Sequence, residues 1–384
     1  MRIYLLFTLV LSFFLCQGQR LIYPPQIPTE KIRIILEQTK GGTVADRISD
    51  LQYIPLKGDK TNLIDNIGNI AILEDRIAIL SSISGALFLY NKDGTFIKKI
   101  TKIEGHKSRY GNTLFYEIKV KDGNFVASHG EFEVTIGKEG NILDTLSKQY
   151  EENNDVSERL QLDDKELSFT NPYYRNTKKD NRAISAGDNI WIRYDSKDTI
   201  RSYYSLGYAF SKINNSEAYC TLPNNTKIFK LNAAGIEKVY DIIFPFNNTM
   251  DSSAGQIYKD YETYEKYIKA NPQKVYGLGN VVPHHRYLIF LAGRYHDPRW
   301  IAYDLESKEA WGLDYIIPDK SNDYLSFFDT NNIITDGEYL YSYIYPQQVR
   351  SAKNKSMDER HSIRKEYADL EKYNNPVLVR FKIK

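Results

Sequence analysis

The feature that most constrains the fold is a repeat. Between Ile67 and Ile100 the chain carries four short apolar runs, at residues 70–73, 77–80, 87–90 and 96–100. They are separated by Glu74-Asp75, by residues 81–85 and by Asn91-Lys92-Asp93-Gly94. Runs of that length, bounded by turn-favouring residues, predict an antiparallel meander of four strands. The next stretch does the same, with runs at 115–120, 125–128, 132–136 and 142–146. Gly94 and Gly140 stand at equivalent turns between third and fourth strands, where a positive φ suits glycine. Recurrence at a period of roughly 20–50 residues is the mark of a repeat architecture.

Four further units follow with looser edges. Residues 189–194 and 199–204, joined by a turn at 195–198, read as the third and fourth strands of unit three. Residues 226–231 and 236–243 belong to unit four, and 278–282, 287–291, 300–303 and 310–313 make unit five. Unit six has runs at 333–334, 339–345 and 377–384 and lacks a fourth. The orphan run 51–56 near the N-terminus supplies it, and Pro55 is tolerated because an outermost strand does not need its N–H. Radial repetition that leaves only short edges is the solution of a β-propeller. The expected fold is therefore all-β: a six-bladed β-propeller of four-stranded antiparallel blades over residues 45–384. The N-terminal strand completes the last blade and closes the ring. Apolar residues at helical spacing place two short helical insertions at about 251–270 and 356–373.

Residues 1–18 read as an export signal. Arg2 precedes an apolar run, residues 3–15, that is too short to span a bilayer. Cleavage after Gly18 is favoured. The alternative makes Cys16 a lipidated first residue, against which the bulky Leu15 counts. Residues 19–44 form an extension ahead of the propeller. No later run approaches about eighteen apolar residues, so no transmembrane span is expected. The expected location is the periplasm or the outer membrane's surface. Cys220 then stands alone in the mature chain and is expected to be a buried, inert thiol.

The balance of 51 Lys and Arg against 49 Asp and Glu provides no basic footprint for nucleic acid. The 31 Tyr and 17 Phe suit strands. His284-His285 falls in a turn, where both are expected to be exposed and neighbouring side chains diverge rather than chelate. No nucleophile elbow, P-loop, dinucleotide fingerprint or metal-ligand spacing occurs, so no catalytic residue, metal or cofactor is predicted.

In a propeller, the loops joining strands two and three of each blade, and those joining successive blades, open on one face. The sequence places Arg109, Tyr110, His129 and Glu131 in such loops. Blade five contributes Arg294-Tyr295-His296-Asp297-Pro298-Arg299, the densest polar and aromatic cluster in the chain. Arginine and tyrosine are enriched at recognition surfaces because they combine area with directed hydrogen bonds.

Three stretches carry a family resemblance: Ile-Ser-Asp-Leu-Gln-Tyr-Ile-Pro-Leu at 48–56, Leu-Phe-Leu-Tyr-Asn-Lys-Asp-Gly-Thr-Phe-Ile at 87–97, and Asn375-Pro376-Val377-Leu378-Val379. They resemble the exported six-bladed β-propeller proteins of Bacteroidota, whose architecture is NHL-like. The resemblance spans about residues 45–384. It implies an envelope location, often as a lipoprotein, and no settled activity. The function expected is that of a non-catalytic, monomeric scaffold that binds an envelope protein or glycan. The alternative is a glycan lyase or metal-dependent hydrolase, which needs His129 and His296 to converge with carboxylates or arginines at the central funnel.

Overall fold

The computed structural model describes residues 21–104, 114–129, 132–147, 156–170, 181–195, 206–250, 261–328 and 333–384. The chain divides into two units, one of residues 41–152 with 316–384, the other of residues 1–40 with 153–315. Each unit carries three of six blades.

The first of these units holds blades one, two and six. Blade one orders Ile67–Ile72, Arg76–Ser81, Leu87–Asn91 and Phe96–Ile100. Blade two orders Phe115–Lys121, Asn124–His129, Phe132–Ile136 and Ile142–Ser147. Blade six joins sequence-distant segments. Ile334–Thr335, Leu340–Ile344 and Val377–Ile383 are completed on the outside by Ile48–Pro55, with Ile54 opposite Leu378 and Tyr53 opposite Val379. The orphan strand takes its expected place.

The two inner strands of blade one are almost entirely buried because alternate side chains leave the sheet on opposite faces. Ile77, Ile79, Phe88 and Tyr90 pack with Tyr341, Tyr343 and Leu378 of blade six. Ala78, Leu80, Leu87 and Leu89 pack with Phe125, Ala127, Val134 and Ile136 of blade two. A strand covered on both faces needs an unbroken apolar run, which is why the repeat is clearest here. Truncating a ring such as Phe88 to alanine costs about 3–5 kcal/mol.

The other unit holds blades three, four and five. Blade three orders Val156–Leu162, Lys165–Thr170, Arg182–Ala186 and Asn189–Tyr194. Asn189–Tyr194 is thus the fourth strand rather than the third, and the run expected to follow it, 199–204, lies outside the described residues. The first strand escaped the pattern because it alternates apolar positions with Glu158, Arg159 and Gln161, and only Leu162 is fully buried. Blade four orders Phe210–Lys212, Glu217–Thr221, Lys227–Asn232 and Gly235–Ile243. Blade five orders Gly277–His284, Tyr287–Gly293, Arg299–Asp304 and Ala310–Gly312. Blade four packs Ala218, Cys220, Phe229 and Leu231 with Leu167, Ile184 and Ile192 of blade three. Its opposite face packs Tyr219, Ile228 and Tyr240 with Leu288, Phe290 and Ile301 of blade five. Cys220 is fully buried, and burial pushes its thiol well above the usual range.

The described part of the N-terminal extension is built into these sheets. Leu21–Ile22 adds antiparallel to Asn189–Tyr194, and Thr29–Arg33 adds parallel to Gly235–Ile243. Glu30 anchors the second segment by accepting hydrogen bonds from Lys238 Nζ at 2.7 Å, Lys308 Nζ at 2.9 Å and the Tyr303 hydroxyl at 3.0 Å. Burial alone would raise its carboxyl, but these donors hold it at about 2.

Of the first helical insertion, Tyr261–Ala270 is an α-helix that buries Tyr264 and Ile268, while residues 251–260 lie outside the described residues. The second begins earlier than its pattern predicts, as Pro346–Asp358, with Pro346 in the first turn and the Gln348 side chain accepting from the Tyr345 N–H. It buries Val349 and Ala352, then breaks into the short turns Lys365–Ala368 and Leu370–Lys372. No helix among the described residues is long and apolar enough to cross a membrane.

Candidate functional site

The blade-five loop from residue 294 to 298 leaves the buried strand Tyr287–Gly293 and enters Arg299–Asp304. Its two arginines hold it in shape. Arg299 lies between carboxylates, donating from Nη2 to Asp297 at 2.7 Å and from Nη1 to Asp314 at 3.3 Å. Its guanidinium carbon sits 4.3 Å from the centre of the Tyr315 ring. Arg294, with a side chain 12% exposed, has Nη1 3.8 Å from Asp297 and Nη2 3.8 Å from Glu37. Burial pushes the Asp314 carboxyl upward, with the Arg299 charge pulling the other way. Among the described residues, the buried Nε–H groups of both arginines and Oδ1 of Asp314 have no hydrogen-bond partner.

The loop tip rests on aromatic side chains. Tyr295 packs against Met250, Tyr264 and Ile268 together with Tyr267 and Tyr276. Its ring lies 3.8 Å from that of His296, an exposed residue at φ +66. Tyr264, inside the insertion helix, donates from its hydroxyl to Asn224 Oδ1 at 2.6 Å. Asn224 belongs to the blade-four loop between strands two and three, so loop and helix are tied to both blades.

Segments remote in sequence widen this surface. Glu37 follows the added strand Thr29–Arg33 and accepts from Asn248 Nδ2 at 2.9 Å. Asn248 lies in the single turn Phe246–Asn248, where Phe246 is 69% exposed, with Lys274 Nζ 5.7 Å from the ring centre. Ile35, Tyr208 and Tyr315 are also exposed. Exposed aromatic side chains therefore flank the ion-paired loop, Tyr315 against Arg299 and Phe246 beside the Glu37–Asn248 pair.

Of the sequence candidates, Arg294, Tyr295, His296 and Arg299 come together here. Arg299 serves as a brace for the loop, since two carboxylates and a ring already engage it. His129 is fully buried at the end of Asn124–His129, its ring 5.0 Å from Phe115, rather than displayed on a loop. Arg109, Tyr110, Glu131, Cys16 and the export signal lie outside the described residues. His284 also departs from expectation: it is buried at a strand end, and only His285 of the pair is exposed. Glu37, Phe246 and Asp314 were missed because nothing in their local sequence points toward residue 294. Tyr264 carries a signal, the helical spacing that predicts the insertion, but spacing alone does not tell which surface the helix meets. Among the described residues no group of three or more His, Cys, Asp or Glu side chains could hold a metal ion.

The comparisons with known proteins agree with the sheet count. A family model described as a 6-bladed beta-propeller matches residues 27–105. A crystal structure from Bacteroides fragilis, of a protein whose name marks it as a candidate for export, is similar over 93% of this chain and 99% of its own. The TM-score is 0.65 at 15% identity. A DUF4221-family protein from Bacteroides vulgatus matches over 88% of this chain and 97% of its own, with TM-score 0.49 and 9% identity. A search of curated proteins found no match. The chain is a six-bladed β-propeller of four-stranded antiparallel blades.

Proposed function

We propose that this chain is an exported, non-catalytic binding module, and that the blade-five loop face of the unit 1–40 with 153–315 recognises an envelope protein. The observation that carries the proposal is the construction of that face. Arg294 and Arg299 pair with Asp297, Asp314 and Glu37 and fix the loop, while Tyr295, Phe246 and Ile35 offer area beside it. A rigid polar frame around apolar and aromatic anchors is the anatomy of a protein-recognition patch. The apolar run at residues 3–15 and the export label of the Bacteroides fragilis protein support an envelope location.

Capture from native envelope with the tagged mature chain, followed by reconstitution with the purified partner, tests the proposal. Phe246→Ala and Tyr295→Ala should each weaken the reconstituted complex at least about tenfold, about 1.4 kcal/mol or more. A partner whose affinity is unchanged by both substitutions would remove this face from the account.

A further inference from the structure

A second feature of the same unit lies among the hairpin turns of blades three and four. An open groove of about 470 Å³ is lined by Lys165, Glu166, Gly187, Asn189, Trp191 and Ala234, with Ala186 and Ile190. That volume falls in the roughly 300–1,000 Å³ range of small-ligand sites. The added strand Leu21–Ile22 pairs only with Tyr194 and Arg193, so it does not cover the edge of blade three from Asn189 to Trp191. Trp191 is half-buried, packed on the cluster that contains Leu162, Leu167 and Ile192, while it also lines the groove. Among the described residues its ring enters no hydrogen bond or ring contact. Gly187, at φ +56, leaves open space where a side chain would begin.

We infer that this groove is a saccharide-binding site, with Trp191 as the platform on which a pyranose ring stacks. The electron-rich face of an indole attracts the weakly positive C–H groups on the flat side of a sugar ring. The Asn189 amide, the Glu166 carboxylate and the Lys165 ammonium are the donors and acceptors that sugar hydroxyls need. Charge selects a neutral glycan. The groove is lined by one cation and one anion, and both already have partners, Glu166 with Arg159 Nη1 at 2.6 Å and Lys165 Nζ with the Ala233 carbonyl at 2.7 Å. Lys165 keeps its charge, but one exposed ammonium is not the cluster of cations that a phosphate or sulfate site uses. The inference does not depend on the loop-face proposal, since the two sites share no residue.

The test uses residues 19–384 and neutral tetrasaccharides built from glucose, mannose, xylose or N-acetylglucosamine, with sulfated and uronate-containing tetrasaccharides beside them. Binding is read by tryptophan fluorescence and calorimetry. Trp300 and Trp311 are buried, so a fluorescence response reports Trp191. At least one neutral tetrasaccharide should bind. Trp191→Ala should weaken it at least about tenfold, Trp191→Phe less, and Asn189→Ala by a few fold. Tyr295→Ala should leave it unchanged, which separates failure of this site from failure of the loop face. Urea unfolding of each variant shows whether the fold survives, and Trp191→Phe carries the test if Trp191→Ala does not fold. No binding across the panel, binding indifferent to Trp191→Phe and Asn189→Ala, or a preference for sulfated or uronate-containing glycans would overturn the inference.

Discussion

The Pro55 carbonyl oxygen occupies the space where a side chain on Gly94 would begin. Gly94, at φ +81, closes the outer hairpin of blade one, and Pro55 ends the outer strand of blade six. The next residues seal the contact, with the Lys57 N–H donating to the Gly94 carbonyl at 2.8 Å. Glycine is required here twice, for backbone conformation and for close approach. Gly94→Ala should destabilise the protein by about 2–4 kcal/mol, combining left-handed strain with a backbone clash. Gly123, at φ +71 with nothing near its missing side chain, is the control. Gly123→Ala should cost only about 1 kcal/mol of strain in the same urea titration.

Glu30 makes the docking of the N-terminal segment sensitive to acid. Its folded carboxyl is held at about 2, well below the ordinary glutamate range. Depression of a carboxyl in the folded state means that the stabilisation is complete above the unfolded value and is lost as pH falls toward 2. Amide exchange in Thr29–Arg33, corrected for intrinsic rates, should accelerate between pH 4.5 and 2. In Glu30→Gln this segment should exchange faster at neutral pH and lose most of that pH dependence.

Asp323 clamps the break in the second helical insertion. Its side chain, 3% exposed, accepts from His361 Nε2 at 2.7 Å, Arg364 Nε at 3.0 Å and the Arg364 backbone N–H at 3.1 Å. Burial opposes ionisation, yet these donors keep its carboxyl below the usual range, so its contribution is also lost in acid. Asp323→Asn retains a residue that tolerates φ +53 but removes the charge. A loss of about 1–3 kcal/mol is expected, and trypsin cleavage at Arg360 and Arg364 should rise on the order of tenfold.

Tyr264 couples the insertion helix to the loop face. Tyr264→Phe keeps the packing under Tyr295 and removes the hydroxyl bonded to Asn224. It should cost about 1–2 kcal/mol by stranding a buried acceptor. Partner binding should weaken less than in Tyr295→Ala, because the anchor itself survives.

Blades one, two, five and six were legible to within a few residues because their inner strands are unbroken apolar runs between Gly, Asn and Asp turns. Blade four was legible only in its last two strands, at 226–231 and 236–243, and blade three only in the run 189–194. Val156–Leu162 is half exposed and strewn with charge, Phe210–Lys212 is three residues long, and Thr29–Arg33 buries only Ile32 fully and is held by its backbone and Glu30. Such strands exist through pairing, which leaves little trace in local composition. The blade-five loop was visible as a cluster of polar and aromatic residues. Its supports, Glu37, Asp314 and Tyr264, arrive from other elements by tertiary packing.

The most direct test of the proposed loop face is a hydrogen-exchange footprint of residues 19–384 with and without an envelope protein that they capture. Protection should concentrate in residues 35–38, 246–248 and 294–299, and Phe246→Ala should reduce it at protein concentrations near the wild-type Kd. Protection confined to blades one, two and six, with the blade-five loop exchanging as in the free protein, would contradict the account.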